Sequence, residues 1–178
     1  MKSDLQEQKM KLVEILGPHW VIIERDFEAR AKEFNRLMRK DHELLGRVLK
    51  SHLIMEHYMD KFLSSHYSIE NIDDLRLSFF QKAKMLPDLN AKAVFVKEGI
   101  LELNAVRNKF GHELDVTIDQ ACLKSMGGVL RISREGQTFP HPVETIEAFT
   151  AVACTFLSTS TPEIEELFAK AFKQALEA

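Results

Sequence analysis

The chain has 178 residues, a formal charge of −3, 45% hydrophobic and 29% charged side chains. That length suffices for one domain with its own core, and the balance excludes a disordered or collagen-like chain. An acidic chain is a poor wholesale binder of nucleic acid, so any RNA contact has to be focused on a local basic site.

Met1 to Gln8 lacks the apolar segment of a secretory signal. The longest uncharged run, Ala148 to Pro162, is too short and too rich in Thr and Ser to cross a bilayer. Cys122 and Cys154 both lie in apolar surroundings and lack Cys-x-x-Cys spacing, which argues against a zinc finger or a redox pair. The expectation is a cytoplasmic protein with buried thiols and no membrane association.

In chain order, Ser3 caps a first helix that stops at Gly17-Pro18. Trp20, Ile23, Phe27, Ala31, Phe34 and Met38 then recur at helical spacing and give a second helix with one apolar seam, buried either internally or against a second copy. A helical pattern runs from Asp41 to His66, and Tyr67 to Asp73 supplies turn and cap chemistry before a helix around Leu75 to Leu86, ended by Pro87-Asp88. Asn90 to Phe110 forms the next helix, with Val96, Ile100 and Leu103 on one stripe and Gly111 where a helix usually stops. Val129 to Phe139 changes character and predicts a small β-hairpin, with Gly136 in its turn and Gly127-Gly128 in the turn before it. A helix carrying Ile146, Phe149, Thr150, Ala153, Phe156 and Leu157 follows Pro142, and Thr161-Pro162 opens the last one.

The fold class expected is all-α, a bundle of about six helices with a β-hairpin insertion near 129–139. It forms a single domain of N-terminal helices over 1–40 with a dimerisation role in view, a bundle over 41–158 and a C-terminal helix over 159–178.

The most informative stretch is Leu103 to Leu114. Arg107 follows the stripe of Val96, Ile100 and Leu103 at helical spacing, where an apolar residue belongs. A guanidinium in that position needs an acidic or phosphate partner. Glu56, flanked at helical spacing by Leu49, Leu53, Met59 and Leu63, has the complementary need, so the two are expected to pair. Gly111 is expected to break the helix and let His112 turn toward Arg107, with the Asn108 amide beside the charge.

Arg107-Asn108-Lys109-Phe110-Gly111-His112 resembles the motif of the HEPN superfamily, an arginine often followed by asparagine, with a histidine four to six residues on. The resembling stretch runs roughly from His42 to Leu157. The resemblance implies a helical bundle, a homodimer with its two motifs facing one another, and metal-independent cleavage of RNA without a cofactor. It assigns Arg107 to the phosphate and its transition-state charge, His112 to general acid or base catalysis as the ribose 2′-hydroxyl attacks phosphorus, and Asn108 to orienting one or the other. Glu56 and Gly111 are supporting residues.

The function implied is an endoribonuclease of the stress, toxin or defence kind. Leu114 stands two residues after His112, where toxins silenced by nucleotidyl transfer carry a tyrosine, which speaks against that mode of control. The competing readings are a non-catalytic HEPN-like regulator, comparable to the mannitol operon repressor group and acting on a protein partner, and a helical scaffold in which an Arg107–Glu56 pair fixes helix register.

Other constellations are weaker. His52, Glu56, His57 and Asp60 share one helix, but the Glu-x-x-His of helical di-metal sites does not occur, and no metal is expected. No Gly-rich phosphate loop is present. Lys82, Lys84, Lys92, Lys97 and Lys109 are read either as a local positive field for the motif or as solvated helix surface.

Overall fold

The computed structural model of the protein describes residues 2–39, 42–89, 92–114, 116–158 and 160–177. Every regular element among them is helical: α1 (Lys2–Leu16), α2 (Trp20–Met38), α3 (His42–Tyr67), α4 (Phe79–Met85), α5 (Lys97–His112), α6 (Lys124–Ser133), α7 (Pro142–Leu157) and α8 (Pro162–Glu177). Single 3-10 turns occupy Gly17–His19, Ile72–Leu75, Lys92–Phe95 and Gln120–Cys122. The chain divides into two units, residues 1–41 and 42–178.

In the first unit, the break at Gly17-Pro18 is a 3-10 turn and not a reversal. Leu16 and Trp20 on either side keep right-handed helical dihedrals, so α1 and α2 follow one another as a kinked rod, with proline tolerated at the start of a new turn. No residue of that turn or of α2 is buried. Ser3 is an internal position of α1 and not its cap; Asp41 and Asn90, expected as helix starts, lie outside the described residues.

The second unit holds the core. Val48, Met55, Met59 and Leu63 of α3 face Ile146, Phe149, Ala153 and Leu157 of α7 and Ile100, Leu103 and Val106 of α5, with Phe79 and Ala83 of α4 and Met126 and Leu130 of α6 closing the sides. Each of the larger side chains among these gains about 1.5–3 kcal/mol from full burial. The approach of α5 to α7 depends on Gly99. A Cβ there would stand 2.4 Å from Phe149 Cζ and 2.5 Å from its Cε2, so only a bare backbone fits beneath the ring.

The helix starts are closed by side chains. Ser78 and Gln81 form a capping box on α4. Pro142 opens α7, where Glu144 Oε2 accepts the His141 N–H at 3.3 Å. At α6, whose flanking residue Leu123 supplies no cap, the Glu102 carboxylate of α5 accepts the backbone N–H of Ser125 at 2.8 Å and of Met126 at 3.1 Å. An acid at a helix start also suits its positive end.

The all-helical expectation holds, but the hairpin near 129–139 is not seen. Those residues end α6 and then form a loop in which Gly136 takes φ 76°. Met126 and Leu130, four apart, are both buried, so the segment satisfies a helical face that its short apolar run disguises. Gly127 and Gly128 are inside α6 and not in a turn. The helix expected around Leu75 to Leu86 is shortened to α4, and α5 begins at Lys97. No helix among the described residues is long and apolar enough to cross a membrane.

Candidate functional site

α5 presents the motif. Its buried stripe runs through Val96, Gly99, Ile100, Leu103 and Val106. Val106 takes the next inward position, which leaves Arg107 exposed on the flank and not within the stripe. Asn104, Arg107, Asn108 and Gly111 follow at intervals of three, four and seven, so they share one face. Arg107 Nη1 lies 3.4 Å from Asn108 Oδ1, and a Cβ on Gly111 would stand 3.6 Å from the same Nη1. The guanidinium thus lies across the bare backbone of Gly111.

Gly111 does not break the helix. α5 continues through His112, and Glu113 is the first extended residue. Helix termination therefore falls two residues later than the glycine predicts, because a glycine permits a helix to end without requiring it. His112 is exposed. It lies five positions beyond Arg107 on α5, a rotation of roughly 140°, so within one chain the two side chains leave the helix in widely different directions. Among the described residues no hydrogen bond or ion pair joins them.

The expected Glu56–Arg107 pair is replaced by another. Lys82, projecting from α4, donates to Glu56 Oε1 at 3.0 Å and to Asp60 Oδ2 at 3.0 Å. Its side chain is only 8% exposed. Burial works against its charge, but the two carboxylates outweigh that and leave the ammonium pKa above its usual value. A lysine held by two acids one helical turn apart takes the partner that the acidic face of α3 required. Arg107 is left without a carboxylate partner among the described residues.

Beside this triad, and missed as a site residue by the sequence reading, lies His52. It is buried and stacked on the Phe79 ring, with centroids 3.8 Å apart and planes at 23°. Its Nε2 is enclosed without a hydrogen-bond partner among the described residues. Burial pushes the imidazole pKa down; the Asn104 amide and the Glu56 carboxylate pull it up, and Arg107 lowers it further. Glu56 and Arg107 thus act on His52 in opposite directions. The one signal in the sequence was the spacing of His52 and Glu56, four apart on one face of α3.

The lysines divide sharply. Lys82, Lys92 and Lys97 are neither solvated surface nor a field for the motif: each is buried and tied internally. Lys109, beside the motif, has its Nζ 3.7 Å from Cys122 Sγ. Cys154 is buried, which raises its thiol pKa to about 11 and leaves it inert at neutral pH. Among the described residues no group of three or more His, Cys, Asp or Glu is placed to hold a metal ion.

The assembled region therefore has two layers. Outside lie Arg107, Asn108 and His112, open to solvent on the last turns of α5. Beneath lie His52, Glu56, Asp60, Lys82 and Asn104, joining α3, α4 and α5. The outer layer can receive an anion, and the inner one fixes the helices that carry it. No family model matches the chain, and neither a curated protein nor a solved structure matches it.

Proposed function

We propose that the protein is a HEPN-like, metal-independent endoribonuclease of the stress, toxin or defence kind, acting as a homodimer. The observation that carries this reading is the state of Arg107: a permanent cation, exposed, with only the Asn108 amide beside it among the described residues and its guanidinium laid over Gly111. A fork of N–H donors that no carboxylate among the described residues satisfies suits a phosphate. In this reading Arg107 holds the scissile phosphate and the charge that grows on it, Asn108 orients it, and His112 moves a proton. The ribose 2′-hydroxyl attacks phosphorus, the bond to the 5′-oxygen breaks, and that oxygen takes up a proton. Because Arg107 and His112 diverge around α5, the histidine serving a given arginine comes from the second copy, in keeping with motifs that face one another.

The same divergence favours one alternative, a regulator that binds an anionic partner through Arg107 without cutting it. A scaffold role for Arg107 fits least, since among the described residues it makes no ion pair of the kind such a role needs.

Incubating the full chain with mixed RNA in the presence of a chelator, beside Arg107→Ala and His112→Ala, decides among these. The nuclease reading expects cleavage by the native chain, reduced roughly 10²- to 10⁴-fold in His112→Ala and lost in Arg107→Ala, with both variants folded. Equal cleavage in all three, or none in any, overturns it. RNA retained without cleavage, and released by Arg107→Ala alone, identifies the binding reading.

A further inference from the structure

We infer that α2 is a self-pairing surface, which docks antiparallel on α2 of a second copy through Trp20, Ile23, Phe27, Arg30, Phe34 and Leu37. These positions follow one another at spacings of three, four, three, four and three, a strict heptad register that takes Arg30 and Leu37 in place of their neighbours Ala31 and Met38 on the straight-helix seam. That alternation defines the core seam of a two-stranded coiled coil. Trp20, Phe27 and Phe34 are each at least half exposed, and no residue of α2 is buried. Most of the stability of an amphipathic helix comes from packing its apolar face, so the seam calls for an occupant.

Arg30 names that occupant and its direction. It is the one charged residue on the seam and lies near the middle of α2, with its Nε 2.8 Å from Asp26 Oδ2. A parallel pair in register would set two Arg30 guanidiniums against each other in an otherwise apolar layer, which is repulsive and unsolvated. Reversing one strand about the helix centre brings Trp20 against Leu37 of the second copy, Ile23 against its Phe34, and Phe27 against its Arg30. Every layer then matches an aromatic ring with an aliphatic side chain or with a guanidinium, and Arg30 lies on a ring face that attracts it. Of the acids flanking the seam, Asp26 is held by Arg30 and Glu33 by Arg36 at 2.8 Å, and Glu24 lies on the opposite flank. A seam that complements its own reverse suits an isologous two-fold interface. This inference does not depend on the nuclease reading.

Three measurements on the full chain test it. Sedimentation equilibrium should show a dimer, and Phe34→Glu, which places a carboxylate in two symmetry-related layers, should weaken association by roughly 100-fold or more while the thermal transition of the bundle stays in place. Arg30→Leu should tighten association, a gain that a folding defect cannot mimic. The protein has a single tryptophan, so Trp20 emission should shift to the blue as concentration rises. For direction, nitroxides on Val21→Cys, with Cys122→Ser and Cys154→Ala, should sit more than about 20 Å apart along the antiparallel pair. A monomer at every concentration, a dimer indifferent to Phe34→Glu and Arg30→Leu, or labels about 10 Å apart overturns the proposal.

Discussion

The Lys82 ammonium stands 3.0 Å from the Glu56 carboxylate and 2.8 Å from that of Asp60, fastening α4 to α3 through one buried cation. Removing it would leave two half-buried carboxylates one helical turn apart with nothing between them. Lys82→Met should therefore lower unfolding free energy by about 1–3 kcal/mol. Glu56→Gln should cost less, because Asp60 still holds the ammonium. The midpoints of urea unfolding at neutral pH make the comparison, and a neutral Lys82→Met would show that the triad contributes no net stability.

His52 should make stability depend on pH in a defined direction. Burial against Phe79 lowers its pKa in the folded state, so the unfolded chain takes up the proton first. The stabilisation is fully present above the ordinary imidazole value of about 6.5 and is lost as pH falls through it. His52→Phe keeps a ring on Phe79 and removes the titration. Its unfolding free energy should fall less than that of the native protein between pH 7.5 and pH 5.5; parallel declines would assign the pH dependence to other groups.

Gly99→Ala tests the packing that sets α5 against α7. Alanine in a helix interior ordinarily gains about 1 kcal/mol over glycine. Here the added methyl would fall 2.4 Å from the ring of a fully buried Phe149, and overpacking of that kind costs about 1–3 kcal/mol. Thermal denaturation should show a lower midpoint, and a higher one would mean that the ring has room to move.

The long apolar faces of α3, α5 and α7 were legible because each repeats its pattern over several turns, and Pro162 marked the start of α8 where the structure has it. Short segments were not. Val129 to Ser133 alternates like a strand, and only the burial of Met126 and Leu130 around it reveals a helix. At the site, sequence located the polar cluster on the last turns of α5, though it set Arg107 on the apolar stripe, and it found the need of Glu56 for a cation. It could not say which cation arrives, since Lys82 reaches Glu56 from a helix whose placement depends on the whole core. Gly111 misled because a glycine permits a helix to end without requiring it. His52 was weighed only as a metal ligand beside Glu56, His57 and Asp60, because its stacking on Phe79 depends on where α4 packs.

The buried lysines reach beyond the site. Besides Lys82, Lys92 holds Ser158 O, Ser160 Oγ and Glu165, and Lys97 holds the carbonyls of Lys84 and Leu86 with Asp88. Each amine stays shielded from reagent for as long as its own segment is closed. Amine acylation followed residue by residue should therefore act as a set of clocks: exposed lysines react at once, while these three react at the rates at which α4, the loop after it and the start of α8 separately open.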